Sequence, residues 1–314
     1  MKPRPAPEAL LAKHLTAVQR AFAAALRRDT EGVHQLRVTT RRLREALPVA
    51  AVGDADAPAR KARKAARRMT RALRSVRELD VSLQLLDELA RAKAAPALAI
   101  GRVRSALSAE RHREWRKVLD NPKRISPDRL AKRLHRTTDA LQKAPSAEWR
   151  VNLSKRLATR ADLLKRALDQ AGSVYSRPQL HRVRLSTKKL RYAFEVAAEL
   201  GGGRHLLPSQ RRLKKVQESL GDLHDRAVLA DHVRDVASLI KEKEPATARV
   251  LEGLAGSLDN QCRRLHAKFV AAQPALRVIV RLAEKLARLV RRRDGVSRMA
   301  KAPLKIVTRR EKVG

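Results

Sequence analysis

Aromatic rings are scarce in this 314-residue chain, at 2% of positions: Phe22, Phe194, Phe269, Tyr175, Tyr192, Trp115 and Trp149. So sparse a set offers no platform for stacking successive bases, as single-stranded nucleic-acid binders do. Cys262 is the only cysteine, which excludes an intrachain disulfide and a cysteine-rich zinc site. No apolar run approaches the length of a membrane span. The opening stretch "MKPRPAPEALLAKHL" lacks the apolar core of a signal peptide, so a soluble, cytoplasmic protein is expected. There is no glycine-rich phosphate loop with its lysine. Negative charge is also short: 32 Asp+Glu face 72 Lys+Arg, leaving a net charge of +40. Self-repulsion on that scale opposes a compact state and favours polyanionic partners.

What the chain has in abundance is Ala, Leu, Arg, Lys and Glu, all strong helix formers, which predicts an all-α fold. Turn residues divide it into helices of three to seven turns. One follows "PRPAPE" and runs to about Arg28, with Asp29 or Thr30 as N-cap for the next. "GDADAP" at 53–58 precedes a third helix carrying Lys61 to Arg77, and Pro96, "DNPKRISPD" and "KAPSAE" mark further turns. Ser176 with Pro178 opens a helix that Gly201, Gly202 and Gly203 close. Pro245 and Pro274 are expected to begin two later helices, and residues 299–314 form a basic tail without helical periodicity.

An internal repeat organises the rest. "VHQLRVTTRRLREAL" from Val33 aligns without gaps on "LHRVRLSTKKLRYAF" from Leu180, an offset of 147 that places His34 on His181. The same offset brings "LRSVRELDV" at 73–81 onto "LGDLHDRAV" at 220–228. Two related helical halves are therefore expected, 7–145 and 146–298, packed about a pseudo-two-fold axis.

At 100° per residue, Val33, Leu36, Thr40, Leu43 and Leu47 form one stripe, and His34, Arg37, Arg41 and Arg44 another. The second copy sets Leu180, Val183, Thr187, Leu190 and Phe194 inward, with His181, Arg184, Lys188 and Arg191 together. The third helix adds Lys64, Arg67, Arg68, Arg71 and Arg74, and its counterpart adds Arg211, Arg212, Lys214 and Lys215. A single charged face is ordinarily just solvated surface. Four faces in two matched pairs point instead to an anion-binding concavity. Guanidinium forks suit phosphate oxygens, lysine adds a point charge, and a neutral imidazole can donate one N–H.

Catalysis has less support. The best cluster, "GDLHDRAVLADHVRD", holds Asp222, His224, Asp225, Asp231, His232 and Asp235 at no recognised metal spacing. Carboxylates in so basic a chain serve to orient or neutralise arginines, a reading that extends to Glu78 and Asp80, and Asp222 could cap a helix after Gly221. No enzyme activity, metal or cofactor is expected. Duplex DNA or RNA remains the rival ligand, since phosphate contacts need no aromatics, although no helix-turn-helix or basic-zipper pattern is present.

The duplicated His-x-x-Arg-x-x-x-[Arg/Lys]-[Arg/Lys]-Leu-Arg pattern, with "VRELDV" and "LGDLHD", resembles the CHAD domain, the conserved-histidine α-helical domain, over about residues 7 to 295. The resemblance implies two pseudo-symmetric four-helix bundles whose basic central surface binds inorganic polyphosphate, in association with the polyphosphate granules of bacteria or archaea. It implies ligand contacts at His34, Arg37, Arg41, Arg42, Arg44, His181, Arg184, Lys188, Lys189 and Arg191, with the third-helix bases in support. Where such domains commonly carry Arg-Asp, this chain has Arg77-Glu78 and His224-Asp225. Arg74 stands where a glycine is common, while Gly221 keeps it in the second copy.

Overall fold

The computed structural model describes residues 6–121, 125–143, 147–201 and 206–291, and the described residues are helical with no strand. The basic tail (299–314) and the glycines at 202 and 203 lie outside them. Ten α-helices run in the order α1 (Pro7–Leu26), α2 (Thr30–Ala50), α3 (Asp56–Ala72), α4 (Arg74–Arg91), α5 (Ala97–Leu119), α6 (Pro127–Lys143), α7 (Trp149–Ala171), α8 (Arg177–Gly201), α9 (Leu207–Ile240) and α10 (Pro245–Arg291), with a 3-10 turn at Gly53–Ala55. No described helix is long and apolar enough to cross a membrane.

Local signals place several ends. Asp29 caps α2 by accepting from the backbone N–H of Glu31 and Gly32, at 3.3 and 2.8 Å. Pro96 precedes α5, and Pro127 opens α6 in the first-turn position that proline tolerates. Three boundaries differ from the sequence expectation. The third helix stops at Ala72, so Arg74 and Arg77 belong to α4. Pro274 does not begin a helix but lies inside the 47-residue α10, whose buried face packs on α7 and α9 and overrides the missing donor. Gly221 and Asp222 lie within the 34-residue α9, so Asp222 caps nothing there.

The helices close into rings. α1, α2, α3 and α6 pack in one circuit and α7, α8, α9 and α10 in another, while α2 meets α7 and α8 across the junction. At 1.5 Å per residue α9 is about 50 Å long, enough to reach a third group that it and α10 form with α4 and α5. Both predicted inward stripes are buried, from Val33 to Leu47 and from Leu180 to Phe194. They join one core that runs across residue 145. Displaced by 147 residues, α7 and α8 overlie α1 and α2, α9 spans α3 plus α4, and α10 spans α5 plus α6. Pro274 then falls on Pro127.

Among the described glycines, Gly32 at the start of α2 has the closest neighbours. A Cβ there would lie 2.6 Å from the carbonyl carbon of Ala24, the Cβ of Ala24 and the backbone nitrogen of Ala25. Two of those atoms are backbone, so relief requires moving α1. Gly32→Ala is therefore expected to lower unfolding stability by about 1–3 kcal/mol, read as a lower urea midpoint with retained helical circular dichroism.

Candidate functional site

A cavity of about 590 Å³ opens where α2, α3, α4, α8 and α9 converge. Of the predicted residues it gathers His34, Arg37, Arg41 and Arg44 from α2, Arg67 and Arg71 from α3, and Arg74 from α4. α8 contributes His181, Arg184, Lys188 and Lys189. The lining counts ten Arg or Lys against five carboxylates (Glu45, Glu78, Glu218, Asp222 and Asp225), so the concavity keeps an excess of positive charge.

The remaining predicted bases lie elsewhere. Lys64, Arg68, Arg211, Arg212, Lys214 and Lys215 are exposed on α3 and α9 outside the lining, and Lys214 pairs with Glu218 at 3.5 Å. Arg42 of α2 and Arg191 of α8 are both held by Glu195. Arg42 Nε donates to Oε2 at 2.8 Å and Arg191 Nη1 to Oε1, while Arg191 Nε donates to Gln217 at 2.9 Å. These two arginines tie the basic helices together beside the cavity.

Several lining groups had no site role in the sequence reading. Arg77 and His224 occupy matching positions at the 147-residue offset, as do Glu78 and Asp225. The repeat itself was the signal that could have found them. Glu45 is buried and accepts from Arg156 Nε at 2.8 Å and from Arg160 Nη2 at 2.8 Å and Nε at 3.1 Å, which fastens α2 to α7. Asp80 lies outside the cavity and accepts from Arg111 Nε of α5 at 2.6 Å. Among the described residues, no three His, Cys, Asp or Glu are placed to hold a metal ion.

Electrostatics follow from burial and like charge. His34 and His181 have pKa values below the ordinary histidine range, first through burial and then through Arg77 for His34 and Arg184 for His181. His224, whose ring centre is 5.0 Å from that of His181, is pushed down to about 3 by burial, with Arg184 and His181 adding to it. All three imidazoles are neutral at pH 7 and able to donate one N–H each. Burial raises Asp225, which Arg184 opposes from 3.8 Å.

Arg37 and Arg184 occupy equivalent positions but act differently. Arg37 Nη1 donates at 2.6 Å to the carbonyl of Thr70, near the end of α3 where the chain breaks at Leu73. It thereby satisfies a carbonyl that the interrupted helix leaves open. Across from Arg184, α9 is unbroken. Gly221 leaves room there, and the Arg184 Nε is buried without a partner among the described residues. Arg37→Ala should therefore cost about 1–3 kcal/mol by stranding a buried acceptor, whereas Arg184→Ala should stay within about 1 kcal/mol of wild type. Urea unfolding of the two variants side by side checks the contrast.

Comparison with solved structures finds similarity to a crystal structure of the CHAD domain from the plant Ricinus communis. The identity is 21% and the TM-score 0.58, over 87% of this chain and 90% of that one. No curated protein matches. The family model for the CHAD domain matches residues 9–234, a span that includes every residue lining the cavity, and the chain therefore belongs to the CHAD domain family.

Proposed function

We propose that this chain binds inorganic polyphosphate in the cavity between α2, α3, α4, α8 and α9, without turning it over. The observation that carries the reading is the concentration of ten Arg and Lys side chains around about 590 Å³, with neutral imidazoles among them. A narrow polyanion of one negative charge per phosphate brings acceptors to every wall. Guanidinium forks from Arg41, Arg74 and Arg184 would take its oxygens in pairs, and His34 and His181 would each donate one N–H. Tyr192 is the one aromatic side chain in the lining, which gives bases little to stack on. Non-catalytic binding accords with the state of the carboxylates: Glu45 is committed to Arg156 and Arg160, and Asp225 faces Arg184.

The matched lining pairs also support descent of the two halves, α1–α6 and α7–α10, from a duplicated unit. His34 and His181, Arg37 and Arg184, Arg41 and Lys188, and Glu78 and Asp225 all face the same space. A cytoplasmic protein with this site would gather on polyphosphate granules.

The test compares long-chain polyphosphate, duplex DNA and tRNA at one salt concentration, because counterion release weakens every such complex. Polyphosphate is expected to bind most tightly and to resist competition by the nucleic acids. Arg41→Ala with Arg184→Ala should weaken it at least about tenfold, given about 1.5–3 kcal/mol for each charged hydrogen bond. Removing Lys305 and Arg309 from the tail should change it less than about twofold. Equal affinity for DNA or RNA at the same site, or equal losses from both pairs of substitutions, would defeat the proposal. Orthophosphate release on adding Mg²⁺ or Mn²⁺ would defeat its non-catalytic part.

A further inference from the structure

Lys188 is out of keeping with an ordinary solvated lysine. Its side chain sits in the cavity wall at 9% exposure, and it makes no hydrogen bond or ion pair with any described residue. An ammonium group has three donors and no acceptor, so holding one at so little exposure, with no protein acceptor, is costly. The surroundings add to that cost. From α2 it faces His34, Arg37 and Arg41, and from its own helix His181 and Arg184. From α9 it faces His224 and Asp225, with Glu218 and Asp222 of the same helix and Glu45 of α2 also lining the space. α4 closes the same space with Arg74, Arg77 and Glu78.

We propose that Lys188, with Arg184 and His224, forms a proton-coupled seat for one phosphate unit of the bound chain, the ammonium being completed as the anion arrives. The inference rests on the polyphosphate reading of this cavity. In the free protein, burial and then Arg184 and Arg41 hold the Lys188 pKa well below the ordinary lysine range, and Asp225 offsets this only in part. A phosphate oxygen supplies the missing acceptor and a negative charge, which restores the proton. Burial lowers the neighbouring Arg37, Arg44 and Arg184 as well, but a delocalised guanidinium keeps its proton inside a protein, so Lys188 is the titrating cation. Its counterpart in the first copy is Arg41, a group that cannot make this change, so the coupling belongs to one side of the cavity.

The sign follows. The Lys188 pKa is lower in the free protein than in the complex, so binding takes up a proton between those two values. Affinity is highest below the free-state pKa and falls as pH rises through the window, by up to about tenfold per pH unit for one coupled proton. The three histidines titrate below the ordinary histidine value, which leaves alkaline proton uptake to Lys188.

Calorimetric titration of the full chain with long-chain polyphosphate, in buffers of different ionisation heat from about pH 6 to pH 10, measures the uptake directly. Wild type is expected to take up protons on the alkaline side of the ordinary histidine range and to lose affinity there. Lys188→Arg should bind without uptake in that range and with a flat profile. Lys188→Met, which lacks the larger head group, should also bind without uptake, but more weakly. Binding by wild type with no proton uptake, or uptake that persists in either variant, overturns the coupling and leaves the polyphosphate site standing. Failure of polyphosphate to bind at any pH in the range overturns the site itself.

Discussion

Two carboxylates, Glu45 and Glu195, hold the basic helices against one another. Each is reached by two guanidiniums, Glu45 by Arg156 and Arg160 of α7, and Glu195 by Arg42 of α2 and Arg191 of α8. The need for them is electrostatic. Two like charges 4 Å apart at an effective dielectric constant of 20 repel by about 4 kcal/mol, and this cavity crowds ten bases together. Both clamps sit at the edge of the charge cluster and bridge helices, so they remove repulsion where α2, α7 and α8 must touch. The centre stays positive, and that is where an anion is useful.

The remaining cohesion is apolar. Each stripe opposite the basic face is buried to within a few per cent exposure, and each includes a threonine, Thr40 or Thr187, at the level of the cavity. Thr40 returns its hydroxyl proton to the Leu36 carbonyl and lies 3.1 Å from the Thr70 hydroxyl, which keeps a polar group buried beneath the arginines without loss. Burial at about 25 cal/mol per Å² supplies the stability, and the backbone then fixes where the cations point. Arg37 joins both roles, since its aliphatic stem is buried with the core while its head caps the α3–α4 break.

How much of this was readable in advance depends on the range of the interaction involved. Helical periodicity separated the inward and basic faces of α2 and α8, because every residue in that argument lies within a few turns of its neighbours. The interruption at Leu73 left no trace, since no glycine or proline marks it and the Thr70 carbonyl is satisfied by a residue 33 positions away. Pro274 misled for the opposite reason: a strong local stop signal was overridden by packing along α10. Arg42 looked equivalent to Arg41 in the motif, but its partner Glu195 is 153 residues distant and nothing local links them. The sequence offers His224 as a poor metal candidate and as a departure from the Arg-Asp pair, not as a site residue. Its place beside His181 depends on how α8 meets α9.

The same comparison explains why the two sides of the cavity are chemically unlike. On α3 and α4 the positions facing it are Arg71, Arg74 and Arg77; their counterparts on α9 are Glu218, Gly221 and His224. The first side therefore carries three fixed charges that the second has given up. A glycine at 221 is compatible with an unbroken helix and leaves space over which Arg184 can lie, its Nε 3.9 Å from where a Cβ would stand. At the matching place stands Arg74, exposed and paired with Glu78, the helix breaks just before it at Leu73, and Arg37 donates to the Thr70 carbonyl. Fixed charge on one side and a largely buried lysine without an ion pair on the other would divide the work in the proposed complex. The arginines would attract the anion across the pH range, while the affinity added by the Lys188 side would follow the proton concentration.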